Sequence, residues 1–270
     1  MVFNTVWTAL NNNFEEKTVQ LYIPLGTIIV GNIVPSFILG LCEVNGWVPE
    51  FLKKKKLQSK KEVTYEQLFK ALKLLITHYL LIVIPLYALL FTQLTSTLGF
   101  SAGEVPPMHV CLLQIGIFMV IEDFCQYWGH RWLHHRKVYK SVHSVHHEYS
   151  APFALTGQYA HWLEVIILGT CTFVGPLLFR PHLLVFFSWV HVKQIMTQHS
   201  HSGYEIGLFP ILQKFIPFLA DVEYHDYHHR TINGPYGTVF TCWDSFFGTD
   251  IEYRKHHATL KREKEQQKNE

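Results

Sequence analysis

From Tyr22 to Cys42 the chain carries no charged residue over about 20 positions, enough helix to cross the hydrocarbon core of a bilayer. A second apolar run, Leu74 to Leu94, follows Lys73 and holds only His78 as a readily titratable group. A third, Met108 to Ile121, ends at Glu122 and Asp123. Two shorter runs, Val165 to Phe179 and Leu183 to Val192, break near Arg180-Pro181, a pattern suited to a hairpin or re-entrant pair. Hydrocarbon offers no water to backbone amides, so such runs must satisfy their hydrogen bonds internally, as helices. Hydrophobic residues make up 49% of the 270 and charged residues only 16%. The expected fold is an all-α integral membrane bundle of about four transmembrane or hairpin helices, one membrane-embedded domain over residues 1–270.

The net charge of +2 supplies no basic field for nucleic acid. Basic residues concentrate locally instead, at Lys53 to Lys56, Lys60 and Lys61, between the first two apolar runs. The positive-inside rule places that loop in the cytosol, whereas Thr95 to Pro107 has no Lys or Arg and suits the opposite side. The five cysteines show no CxxC spacing and read as free thiols. No basic leader with a cleavage site precedes the first run, which reads as a retained anchor. Ahead of it, within residues 1–18, Val2, Phe3, Trp7, Leu10 and Phe14 recur at spacings suited to an interfacial amphipathic helix. Residues 254–270 are rich in Lys, Arg, Glu and Gln and are expected to form a solvated helical tail.

Three short stretches are crowded with histidine: HRWLH (His130, His134), HSVHH (His143, His146, His147) and HDYHH (His225, His228, His229). On a helix, residues at i, i+3 and i+4 share a face, so each stretch is expected to aim its imidazoles one way. With 18 histidines in 270 residues, one HxxHH arises by chance in roughly one such chain in twelve, and two copies far more rarely. Eight imidazoles exceed what one tetrahedral ion takes and suit two metals with open positions. By the count of apolar runs, all three stretches emerge on the cytosolic side, forming a histidine-rich di-metal cap. A metal transporter, by contrast, would string its histidines along a path at mid-membrane.

Carboxylates near these stretches are candidates to orient the rings: Glu122, Asp123, Glu148, Asp226, Asp244 and Asp250, with Asp226 the foremost because it lies inside its histidine stretch. A hydrolytic zinc site would show HExxH, and a soluble di-iron bundle Glu with ExxH; neither occurs. A nitrogen-rich pair of sites facing a membrane suits O₂ activation, although ligand type alone leaves Fe, Zn and Mn open. There is no GxGxxG and no haem-attachment motif, so electrons for such chemistry must come from a partner.

The order HxxxH, HxxHH, HxxHH among apolar helices resembles the fatty acid hydroxylase and sterol desaturase superfamily of membrane di-iron oxygenases. Within it, HRWLHHRKVYKSVHSVHHEYSAPF, QYAHWLE, HSGY, YHDYHH and WDSFFGTD resemble the sterol C4-methyl oxidases. The resemblance covers residues 122–253 as the catalytic region. It implies that His130, His134, His143, His146, His147, His225, His228 and His229 are iron ligands, with His201 of HSGY a ninth. His161 of QYAHWLE is implied near the site, either as a ligand or as a hydrogen-bonding group. His135 and His199 are expected to stay outside. His199 stands where relatives often have an acidic residue, and Tyr224 where they often have histidine.

The implied chemistry is stepwise, O₂-dependent oxidation of a sterol C4-methyl group to alcohol, aldehyde and carboxylate, in sterol biosynthesis. The resemblance further implies two non-haem iron ions, electrons from NAD(P)H through cytochrome b5 and its reductase, and a sterol drawn from the endoplasmic reticulum membrane. Other sterol-biosynthesis enzymes are potential partners. The neighbouring alternatives share the metal centre and differ in the pocket: a sterol C5-desaturase, or a sterol or fatty-acid hydroxylase.

Overall fold

The computed structural model describes residues 2–206 and 209–269, and among them there are helices and isolated bridges but no β-strand. Nine longer helices are α1 (Val2–Asn13), α2 (Thr18–Val44), α3 (65–96), α4 (Met108–Leu133), α5 (Trp162–Phe179), α6 (Leu183–Ser200), α7 (Val222–Thr231), α8 (Cys242–Phe247) and α9 (Ile251–Asn269). Four stretches are long and apolar enough to cross a bilayer: Thr18–Val44, Tyr65–Leu90, Met108–Leu133 and Trp162–Phe179. Their outward faces carry Val30, Leu81, Leu89, Leu112 and Leu178, all exposed in the isolated chain, as a lipid-facing surface requires. The chain is an all-helical membrane protein.

Local sequence explains where the helices start and turn. Thr64 opens α3 by accepting from the Gln67 amide, while Gln67 accepts from the Thr64 amide. The helical turns Thr18–Tyr22 and Tyr79–Val83 are widened just ahead of Pro24 and Pro85, whose missing N–H leaves a carbonyl without its partner. Arg180, at φ 47°, ends α5 in the left-handed region and reverses the chain into α6. The expected break near Arg180-Pro181 is therefore a tight hairpin, and α6 continues to Ser200, well past the apolar run that ends at Val192.

Small residues bring the hairpin against α4. A Cβ on Gly175 would lie 2.9 Å from a ring carbon of Phe118 and 3.1 Å from its Cα. The fully buried Trp189 of α6 packs on Phe118 and donates its indole N–H to the Thr172 carbonyl of α5 at 2.9 Å. Between α4 and α6, Lys193 pairs with Glu122 at 2.6 Å inside the bundle.

The helix ends sort into two opposite levels. At one, Ser101 exchanges backbone bonds with Pro181 and Leu183. Helix α1 lies on that level: its Trp7 indole donates to the Ala102 carbonyl at 3.0 Å and its ring meets His182 edge-on. Trp7 is thus buried against the bundle, Leu10 packs beside it, and Phe14 is exposed; the side chains of Val2 and Phe3 lie outside the described residues. At the other level, Leu57 and Lys55 pair with Gly203 and Glu205. There the C-terminal ends of α4 and α6 meet the start of α5, and α7 closes over them. The polar tail is helical, as expected, over Ile251–Asn269.

Candidate metal centre

Nine histidines converge at that second level. His130, His134, His143, His147 and His228 form one group, and His146, His201, His225 and His229 another; within each group one ring nitrogen per residue lies within 4.8 Å of all the others. All but His134 are buried. The last turn of α4 supplies His130 and the residue after it His134; the C-terminal residue of α6 is followed by His201; α7 supplies His225, His228 and His229.

The second histidine stretch departs from the expected helix. Residues 141–145 are a succession of turns and His146–Glu148 is a single tight 3-10 turn; adjacent His146 and His147 point to different groups. On α7, His225 and His229 are one turn apart and share a group, while His228 faces the other. The stretches do not each present one face to one metal; two of the three are divided between the groups.

Protonation is set by what the outer nitrogens touch. Nδ1 of His130 donates to the Tyr236 carbonyl at 2.9 Å, Nδ1 of His146 to the Tyr159 carbonyl at 3.1 Å, and Nδ1 of His229 to the Tyr149 carbonyl at 3.2 Å. Nδ1 of His201 donates to the Thr197 carbonyl at 2.9 Å, and Nδ1 of His143 to the Glu164 carboxylate at 2.8 Å. Each of these five rings then carries a bare lone pair on Nε2. His146 and His201 aim such lone pairs at each other across 3.2 Å, and Nε2 of His130 and of His229 are buried with no hydrogen-bond partner. Facing lone pairs repel and buried ones are costly, unless a cation lies between them.

Burial also holds the rings neutral, the ligand form. It pushes His146 down to about 4 and His134 to about 2, the latter with help from the His130 and His146 rings. Burial first and neighbouring imidazoles second drive His143, His147, His201, His225, His228 and His229 well below the usual histidine range. The donor set therefore fits metal ions: neutral imidazoles with converging lone pairs, outer nitrogens tied down and water largely excluded.

Two buried aspartates fix the loop that covers the first group. Asp244 accepts from the amides of Tyr236 and Gly237, each at 2.7 Å, and from the hydroxyls of Thr249 at 2.6 Å and Tyr224 at 3.0 Å. Tyr224 thus serves to hold this carboxylate. A Cβ on Gly237 would sit 2.7 Å from an Asp244 oxygen, so the loop closes only with glycine there. From α4, Asp123 accepts from the amides of Val239 and Phe240 and from the Trp243 indole.

The other sequence candidates lie outside the two groups. Asp226 accepts from Gln58 at 2.8 Å and pairs with Arg230 at 2.9 Å, contacting no histidine. Glu148 pairs with Lys70 and accepts from the Tyr159 hydroxyl at 2.7 Å, reaching His146 only through the Tyr159 backbone. Glu122 is taken up by Lys193. His161 caps the start of α5, its Nδ1 accepting the Leu163 amide at 3.3 Å. His135 is exposed, and Nε2 of His199 bonds the Ile206 carbonyl at 2.9 Å. Glu164 is not among the sequence candidates, yet the sequence carries a signal for it: it is a lone carboxylate opening an otherwise uncharged run, three residues after His161.

A cavity of about 460 Å³ leads from the histidines into the bundle. His130, His143, His146, His201 and His225 form its inner end, with Gln126 one turn from His130 and Thr197 one turn from His201. The rest of the lining is mostly apolar, with Leu25, Ile28, Leu75, Tyr87, Phe100 and Phe173, and it also includes His78, Gln158, Glu164, Lys193 and Gln194. Its size is that of a site for one small organic molecule.

Residues 115–249 match the family model described as fatty acid hydroxylase. Methylsterol monooxygenase 1 of Danio rerio is 34% identical over 95% of this chain and 86% of its own length. Methylsterol monooxygenase 1-3 of Arabidopsis thaliana is 34% identical over 98% and 91%. Very-long-chain aldehyde decarbonylase GL1-8 of Oryza sativa subsp. indica is 36% identical over 96% of both chains. No solved structure matches.

Proposed function

The chain belongs to the fatty acid hydroxylase family, and from that premise we propose that it is an oxidoreductase that oxidises a C4-methyl group of 4-methyl or 4,4-dimethyl sterols. The observation that carries this reading is the continuity of the two histidine groups with an apolar cavity, five histidines lining both. Gln126 and Thr197 interrupt the apolar lining beside those histidines. A sterol places one hydroxyl on the carbon next to C4, so polar groups beside the reacting end suit that ligand.

His130, His134, His143, His147 and His228 would hold one iron ion, and His146, His201, His225 and His229 the other. Bound ferrous iron with open positions supplies the redox chemistry that activates O₂ and oxidises an unactivated methyl carbon. The protein's share is positional. Glu164 and the carbonyls of Tyr236, Tyr159, Thr197 and Tyr149 fix the ring tautomers, the loop held by Asp123 and Asp244 excludes water, and the apolar walls aim the substrate. Repetition takes the methyl group through alcohol and aldehyde to carboxylate.

Each oxidation consumes two electrons, for which NAD(P)H acting through cytochrome b5 and its reductase is the proposed source. Lys54, Lys55, Lys60 and Lys61 are exposed around Gln58, which bonds Asp226 of the third histidine stretch, so an acidic electron donor docked there would sit beside the centre. The same lysines favour a cytosolic face, and the substrate favours the endoplasmic reticulum membrane, where other sterol-biosynthesis enzymes would take over the product.

The test is oxidation of a 4,4-dimethylsterol by protein reconstituted with iron, cytochrome b5 and its reductase, with products identified by mass spectrometry. A 4-hydroxymethyl or 4-carboxy product supports the reading. The rice relative favours a second one, a long-chain aldehyde as substrate; loss of the aldehyde carbon in the same assay, with the sterol untouched, would replace the first.

A further inference from the structure

The cavity is not sealed along its side. Its lining includes Ile82, Leu86 and Leu90 of α3, one residue per turn, and Ile166, Gly169, Thr170, Phe173 and Leu177 of α5. Among these, Leu86 is 42% exposed, Ile166 39% and Leu177 44%, so the same side chains face both the cavity and the outside. Helix α5 packs on α4 and α6, whereas the second half of α3 packs on the start of α2. Gly169 has open space where a Cβ would be, with no atom within 4 Å.

We propose that this gap between α3 and α5 is a lateral mouth through which an elongated bilayer lipid enters, its reacting carbon at the histidines and its apolar tail left among Leu86, Phe173 and Leu177. Three observations choose that occupant. The mouth lies within two segments of spanning length and hydropathy, so what it faces is hydrocarbon. Its side chains are apolar apart from the exposed Thr170, whose hydroxyl is spent on the Ile166 carbonyl at 2.7 Å. Ile166 to Leu177 runs about 16 Å along the helix, the reach of a rigid lipid body rather than of a small metabolite.

The inference rests on the proposed function for the identity of the lipid but not for the route. The experiment is photolabelling of the iron-loaded protein in nanodiscs with a 4-methylsterol bearing a diazirine at the tip of its side chain, and in parallel with a diazirine-tagged long-chain acyl lipid. Adducts are mapped by mass spectrometry. Sterol labelling within residues 82–90 and 166–177, competed by unlabelled sterol, is expected. Gly169→Phe, which places bulk in the open space without striking protein, should lower that labelling about tenfold or more. Gly116→Phe, on a lipid-facing stretch of α4 with equally open space and outside the cavity, should leave it unchanged. Competed labelling of the same segments by the acyl probe alone keeps the mouth and removes the sterol. Labelling indifferent to Gly169→Phe, or competed labelling confined to other helices, overturns the mouth.

Discussion

Glu164 accepts the Nδ1–H of His143 at 2.8 Å, and both side chains are almost wholly buried. It is the one carboxylate among the described residues that touches a ring of either histidine group. A buried carboxylate on an imidazole strengthens the opposite nitrogen as a ligand and locks the ring in place. Glu164→Gln keeps the size but weakens the acceptor. Iron affinity and turnover are expected to fall about 10- to 100-fold while the chain still inserts and folds. Metal analysis across an iron titration checks this; an unaltered affinity would reduce Glu164 to a packing residue.

His201 and His161 provide a matched pair of substitutions. His201 faces His146 and His225 at 3.2 and 2.9 Å, whereas His161 caps a helix away from both groups. His201→Ala should drop bound iron from about two ions per chain to about one, because only the four-histidine group loses a member. His161→Ala should retain both. Iron per chain after gel filtration distinguishes them, and equal losses would mean that the groups do not load as separate sites.

Acid should empty the centre. Folded pKa values are depressed, to about 4 for His146 from an ordinary 6.5, with burial the leading cause. The unfolded chain therefore takes up protons that the folded site refuses once pH drops below its own histidine pKa. The stability contributed by neutral histidines is present above about 6.5 and is progressively lost as pH falls toward about 4. Protons also compete with metal for the same lone pairs. Iron retention and thermal unfolding measured from pH 7.5 to 4.5 should decline together; a site stable through pH 4.5 would contradict the burial argument.

Removing the Asp244 carboxylate strands two amides and two hydroxyls that it now satisfies. Asp244→Ala is expected to destabilise the protein by roughly 3 kcal/mol or more, since hydrogen bonds to a buried charge are each worth about 1.5–3 kcal/mol. The Tyr236 carbonyl that anchors His130 would be freed with the loop. Calorimetry in detergent reads the first effect and weaker iron binding the second; a variant as stable as the parent would show that water replaces the carboxylate.

Much of the architecture is visible in the chain because hydrocarbon leaves few options. Uncharged runs such as Tyr22 to Cys42 become spanning helices, and Arg180-Pro181 turns the last pair back. Histidine spacing likewise identifies the residues that cluster, apart from His201, which only the family resemblance supplied. What spacing does not convey is backbone conformation inside HSVHH. His146–Glu148 is a 3-10 turn, yet its neighbours His146 and His147 part between the groups just as His228 and His229 do on helical α7, since residues one apart on a helix point about 100° from each other. The ring-orienting partners were also hidden, because four of the five are main-chain carbonyls, which carry no residue-type signal. Asp226 drew attention by lying among histidines in sequence, but on α7 it points to Gln58 and Arg230 on the outer side.

Helix α7 serves both histidine groups, giving His228 to one and His225 and His229 to the other. That division has a consequence for how the protein is made. Translation proceeds from the N-terminus, so the spanning helices and the first six histidines of the centre exist before α7 has been synthesised. Until it docks, neither group is complete. A single late segment thus completes both halves at once, and a chain stalled before Val222 would be a membrane bundle with no finished redox centre to misfire.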